Sequence, residues 1–209
     1  AFFVHDLKNT ASTLNLMLQN LPDHFDNPEF REDALRGMGK TCDHINGLIS
    51  RLSLLRHDLQ IKPVRSDLND VVAGVLSDWD GITGMALVKN LRPGLAVLLD
   101  REQIAKVVTN LVLNASEAIA SSGEIRIETS QSNGWAVLQV ADDGCGMAPE
   151  FVSRALFRPF QTTKKKGLGI GMFQSKMIVE AHGGRIEVES EVEKGTTFRV
   201  LLPIEEQSK

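Results

Sequence analysis

Two hydrophobic rhythms divide this chain. Over residues 1–60, Phe3, Leu7, Leu14, Leu18 and Leu21 recur at helical spacing, and Leu35, Met38, Cys42, Ile45, Ile49 and Leu52 alternate by three and four. The second series is the seam of a coiled coil. The stretch from Pro22 to Pro28 interrupts the two runs, which predicts an antiparallel helical hairpin. Two helices with narrow seams cannot bury both faces alone. Pairing two hairpins into a dimeric four-helix bundle solves this and is the expectation; packing the hairpin on its own C-terminal domain is the alternative.

After Ile61-Lys62-Pro63 the pattern changes, which sets the boundary between a hairpin over 1–60 and a second domain over 61–209. Ser66 or Asp67 is placed to cap a helix running through Leu76. Asp100 with Gln103 forms a capping box for a helix over 104–119. Alternating apolar runs predict strands at Ala86–Val88, Val97–Leu99, Glu124–Thr129, Ala136–Val140, Arg185–Glu189 and Thr197–Leu202. Turn residues at Ser121-Ser122-Gly123 and Asn133-Gly134 make a hairpin of two of them. Helices and strands do not alternate strictly, so a mixed sheet with helices on one face is expected rather than a doubly wound fold. The fold class is α+β: a helical hairpin followed by an α/β sandwich.

Composition narrows the function. A net charge of −4 gives no general attraction to nucleic acid or an anionic membrane. No apolar run approaches a membrane span, so no membrane contact is expected within this chain. Its abrupt opening at Ala1-Phe2-Phe3-Val4, expected to lie inside a helix, leaves room for sensor or anchoring segments upstream. Cys42 and Cys145 stand alone, without zinc spacing, and fit free thiols in a reducing compartment, with one bridge between them as the alternative.

Chemistry concentrates in the second half, in four elements. Asn110 and Asn114 are one turn apart on a single helical face, where a core helix would carry apolar residues. An amide oxygen there suits Mg²⁺, a hard ion that keeps waters and phosphate oxygens, but a solvated or capping pair of amides is the plain alternative. Asp142-Asp143-Gly144-Cys145-Gly146 follows a strand; its glycines admit a flat ligand and its carboxylate suits an exocyclic amine, although a turn has the same composition. Phe157 to Lys164 comes next, with Lys164, Lys165 and Lys166 suited either to screening phosphate or to plain solvation. Gly167-Leu168-Gly169-Ile170-Gly171 then opens a helix, whose N-terminal N–H groups attract anions. It matches neither a P-loop nor the dinucleotide fingerprint.

In this order, and with Gly195-Thr196-Thr197-Phe198 behind them, the elements resemble the catalytic domain of the GHKL superfamily: histidine kinases, gyrase-type topoisomerases, heat-shock-90 chaperones and MutL proteins. The resemblance covers about 62–204. It implies ATP and Mg²⁺ as ligands, with Asn114 on the metal and Asn110 beside it. It implies Asp142 on adenine, Gly144 and Gly146 shaping that pocket, and Thr197 at the nucleotide. Gly167, Gly169 and Gly171 then lie along the phosphates under a short lid, Gln161 to Lys166, that includes Lys164.

Superfamily members that hydrolyse ATP carry a Glu one turn before the metal-binding Asn. Here that position is Asn110, an amide without basicity, so another nucleophile is expected. His5-Asp6-Leu7-Lys8-Asn9 resembles the phosphoacceptor box of sensor histidine kinases. The resemblance makes His5 the phosphorylated residue, Asp6 its acidic partner and Asn9 the residue that orients water for dephosphorylation of a response regulator. The box lacks the proline common after Asn9. The implied protein is a cytoplasmic homodimer that passes phosphate from His5 to a receiver-domain Asp. A serine/threonine kinase of the anti-sigma type and a nucleotide-binding scaffold are the rivals. His24, His44, His57 and His182 have no such setting and read as structural or surface residues.

Overall fold

The computed structural model describes residues 11, 12, 15, 16, 18–22, 25–54, 59–77, 79, 85–164 and 169–204, with backbone alone for 43–54. The chain divides into two compact units, Ala1–Asp58 and Leu59–Lys209.

In the first unit, helical backbone at 18–22 runs through Pro22, and the turn falls at Phe25–Asp26. Helix α1 then spans Pro28–Leu54. Its start is local chemistry: Asn27 Oδ1 accepts from the Glu29 N–H at 3.0 Å, and Pro28 occupies a first-turn position whose N–H would have no partner. Ala34 and Thr41, two turns apart, are buried. Of the seam residues expected from the sequence, Leu35 is 70% exposed and Cys42 is exposed. Leu16 and Leu18 are also exposed. The side chains of Ile45, Ile49 and Leu52 lie outside the described residues.

The second unit is an α/β sandwich. A two-stranded antiparallel sheet pairs β1 (Val64–Asp67) with β3 (Ala96–Leu99). A five-stranded sheet contains β2 (Met85–Leu91), β4 (Gly123–Ser132), β5 (Trp135–Asp142), β6 (Arg185–Glu191) and β7 (Gly195–Pro203). Its order is β2-β4-β5-β7-β6, with β2 parallel to β4 and the other pairs antiparallel. The helices are α2 (Leu68–Ser77), α3 (Arg101–Ala118), α4 (Pro149–Arg154) and α5 (Gly171–Ala181).

The core lies between the helices and one sheet face. Ile104, Val107, Val108, Leu111, Val112 and Ala115 form a buried stripe on α3, meeting Ala136, Leu138 and Val140 of β5 and Phe198, Val200 and Leu202 of β7. The other face is polar and half-exposed: Arg199 on β7 pairs with Glu189 of β6 at 2.7 Å and with Gln139 of β5 at 3.0 Å. No helix among the described residues is long and apolar enough to cross a membrane.

Asp100 joins three parts of this unit. Its Oδ1 accepts from the Gln103 N–H at 3.1 Å, the N-cap expected from the sequence. Its own N–H, which a full capping box would give to Gln103, instead donates to His182 Nε2 at 2.9 Å. Oδ2 accepts from the Lys62 N–H at 2.9 Å, fixing the start of the domain to α3. His182 is buried, and its Nδ1 meets the Ile178 carbonyl at 2.7 Å, so the ring bridges the end of α5 to the start of α3 as the Nδ1–H tautomer. These bonds, led by that from Lys62, hold the Asp100 carboxyl below the usual aspartate range. Its stabilisation is therefore complete above the ordinary value and is lost as pH falls through the lowered one. Asp100→Ala should cost about 1–2 kcal/mol at neutral pH, and thermal melts should show the gap to wild type closing in acid.

Candidate functional site

The α3 stripe that faces the core leaves Asn110 and Asn114 half-buried at its edge. Asn110 faces the first turns of α5: its Nδ2 donates to Ser175 Oγ at 3.1 Å, and a Cβ added at Gly171 would meet Asn110 Oδ1 at 2.5 Å. Gly171 is thus fixed by the close approach of two helices. Asn114 Nδ2 points at Met172 Sδ, 3.2 Å away, which turns its Oδ1 outward. That oxygen accepts from the Lys164 ammonium at 2.6 Å. Lys164 also pairs with Glu117, one turn further along α3.

The donor set fits a small cation. Asn114 Oδ1 already holds a positive group, Glu117 brings a carboxylate to the same point, and both are hard oxygen donors of the kind Mg²⁺ takes. Among the described residues no cluster of three or more His, Cys, Asp or Glu forms a metal site, so a divalent ion here needs ligands such as water and phosphate.

Asp142 ends β5 on the core-facing side. Its Oδ1 accepts from the Gly144 N–H at 2.9 Å. Burial raises its carboxyl above the usual range, against amide hydrogen bonds from Gly144 and Thr196 and the nearby Lys164 charge, which lower it. Gly144 packs on the end of α3, where a Cβ would meet Ala118 at 2.7 Å. Gly146 has φ +62° and lies against Glu191, whose carbonyl a Cβ would meet at 2.0 Å. A side chain at Gly144 would push the loop off the end of α3, and one at Gly146 would push it off the Glu191 backbone.

An open cleft of 280 Å³ at this end of the sheet is lined by Asp142, Ser190, Thr196 and Thr197 among others. Thr196 sits directly across from both Asp142 and Ser190 and bonds Ser190 Oγ at 2.9 Å. Strand alternation gives Thr196 the face of Phe198 and Val200, and Thr197 the face of Arg199. The threonine beside the Asp142 carboxylate is therefore Thr196, which the sequence reading passed over. The alternation of Phe198, Val200 and Leu202 along the strand carries that signal in the sequence.

Gly169 and Gly171 flank the start of α5, as expected. Gly167 lies outside the described residues, as do His5, Asp6 and Asn9. Ser175 and Glu117 were also missed, each looking like an ordinary helix residue. Cys42 and Cys145 are free thiols.

The site thus joins a sunken carboxylate at one strand end of a helix-covered mixed sheet to an amide oxygen on the neighbouring helix that holds the Lys164 ammonium. The chain belongs to the histidine kinase-, DNA gyrase B-, and HSP90-like ATPase family, whose model matches residues 99–206. It is 32% identical to the signal transduction histidine-protein kinase AtoS of Escherichia coli (strain K12), over 97% of this chain and 34% of AtoS. It is 29% identical to sporulation kinase C of Bacillus subtilis (strain 168), over 100% of this chain and 49% of that protein. The chain thus spans half or less of these relatives' length. Histidine kinase ThkA, solved in complex with the response regulator protein TrrA, shares the fold with a TM-score of 0.72 at 23% identity, over 99% of this chain and 61% of that one.

Proposed function

We propose that this chain is the dimerisation and ATP-binding core of a sensor histidine kinase that phosphorylates its own His5. The observation that carries the reading is the state of Asn110. It stands where a hydrolytic relative has its general base, it is an amide, and its side chain is bonded to Ser175. Water activation has no base there, so the phosphoryl group goes to a side chain.

ATP lies between the two ends of the site. Asp142, with Thr196, accepts from the adenine amine, and the loop around Gly144 and Gly146 admits the flat base. Asn114 would hold Mg²⁺, and Lys164 and the start of α5, at Gly169 and Gly171, would meet the phosphates. Mg²⁺ supplies charge neutralisation at the phosphate oxygens. A neutral imidazole nitrogen of His5 then forms the new bond to the γ-phosphorus, the bond from that phosphorus to the bridging oxygen breaks, and ADP leaves. Asp6 takes the ring proton. Positioning and charge account for most of the acceleration in such transfers. The same phosphoryl group passes from His5 to an Asp of a receiver domain, and Asn9 orients water for its later removal. ThkA, a neighbour in fold, was solved with a response regulator, which supports this partner.

The chain acts as a homodimer in the cytoplasm through the hairpin over 1–60. Leu18 of the first seam and Leu35 of the second are exposed, which supports this, since large apolar seam side chains call for a covering partner. Asn114→Ala tests the metal assignment: Mg²⁺ should cease to strengthen ADP binding in calorimetry, and transfer of label from γ-labelled ATP to the chain should fall below detection. Full labelling in Asn114→Ala would reject the site.

A further inference from the structure

The segment 160–164 is fixed at two points. At its base the Phe160 N–H donates to the Gly169 carbonyl at 2.8 Å, and a Cβ on Gly169 would meet the Gln161 backbone at 2.6 Å. Further out, Lys164 crosses to α3, where its Nζ donates to Asn114 Oδ1 at 2.6 Å and to the Glu117 carboxylate. Asn114 and Glu117 are three residues apart, so one turn of helix presents both acceptors side by side. The Lys164 N–H is itself held by Thr162 Oγ1 at 3.0 Å, which orients the residue that makes the crossing.

A single amide oxygen cannot serve this ammonium and a divalent ion at once, because two positive charges at ligand distance repel strongly. We propose that Glu117 is a positioning residue: with Asn114 it holds Lys164 in the place of the nucleotide's metal ion, latching the segment to α3 until Mg²⁺ and nucleotide arrive together. Metal binding at Asn114 expels Lys164, the latch opens, and the freed ammonium is available to the phosphates. Glu117 sets how firmly the latch holds. This inference rests on the reading of Asn114 as the metal ligand.

Because Lys164 and Glu117 side chains are 37% and 46% exposed, the latch is a modest one, and Glu117→Gln should speed opening about 2- to 5-fold. The readout is hydrogen exchange of the backbone amides of 160–164 in the whole chain. Without nucleotide, Glu117→Gln should exchange faster than wild type by that factor. With saturating Mg²⁺ and ADP the two should match, since the latch is already open. Glu117→Lys should exchange faster still, and Glu117→Lys with Lys164→Glu should return toward wild type. Equal exchange in wild type and Glu117→Gln without nucleotide, or a difference that persists unchanged with Mg²⁺ and ADP, would overturn the latch. Failure of the underlying reading looks different: Asn114→Ala would then retain the full effect of Mg²⁺ on ADP affinity.

Discussion

Asp142→Asn is expected to weaken ADP binding about 10- to 100-fold, the loss typical when a charged hydrogen-bond acceptor is removed, without lowering thermal stability. Asp142 is held partly out of water, and burial is the main reason its carboxyl sits above the ordinary aspartate value of 3.8. A carboxyl with a raised folded-state pKa favours the native state while protonated. That advantage is lost as pH rises from the ordinary value through the raised one, so at neutral pH its ionised form is a cost to the fold. Asparagine keeps an oxygen for the Gly144 N–H and carries no charge, which removes that cost. What it loses is a charged acceptor for the adenine amine. Wild-type affinity for ADP should also decline as pH falls through the raised pKa, and the Asp142→Asn protein should lack this dependence. Calorimetry at neutral and mildly acidic pH measures both. Equal affinity of the two proteins at neutral pH would remove Asp142 from the base pocket.

The second large effect is that of His5→Gln. Glutamine is polar and similar in reach, but its amide nitrogen lone pair is delocalised and is no nucleophile. Labelling of the chain should vanish, while ADP affinity changes by less than about 2-fold, because a residue that only accepts the phosphoryl group contributes to the transition state and not to nucleotide binding. The pairing with Asn114→Ala separates the functions. One variant loses the acceptor and keeps the nucleotide site; the other loses the metal ligand and keeps the acceptor. If both lost ADP binding equally, acceptor and nucleotide site would not be separate.

Much of the catalytic domain was legible because its signals are local. Asp100 and Gln103 mark the start of α3, and apolar alternation marks the five strands of the main sheet, including the β4–β5 hairpin with Asn133 and Gly134 at its turn. The exceptions have physical reasons. β1 is four residues long with two of them exposed, and is held by its pairing with β3 rather than by an apolar pattern of its own. α4 has six residues and no buried side chain, and only Pro149 announces it. The second bond at the α3 cap comes from His182, 82 residues away, which no local rule supplies.

The site divides along the same line. The glycines were readable from their spacing, although what fixes Gly144, Gly146 and Gly171 is contact with Ala118, Glu191 and Asn110 as well as any ligand. Glu117 has the form of a surface residue on a helix, and only the fold brings Lys164 to it across 47 positions of sequence. Thr196 against Thr197 is a question of strand parity, and the core-facing Phe198 answers it.

The central claim is that phosphate leaves ATP for a histidine nitrogen, and the bond itself can be interrogated. The chain is incubated with γ-labelled ATP and Mg²⁺, and the labelled protein is divided between brief acid, strong base and peptide mapping. On His5 the label is a phosphoramidate. Protonation of the ring makes neutral imidazole the leaving group, so acid should release the label, base should leave it in place, and mapping should return the peptide containing His5. An acid-stable, base-labile label, as on serine or threonine, would contradict the account.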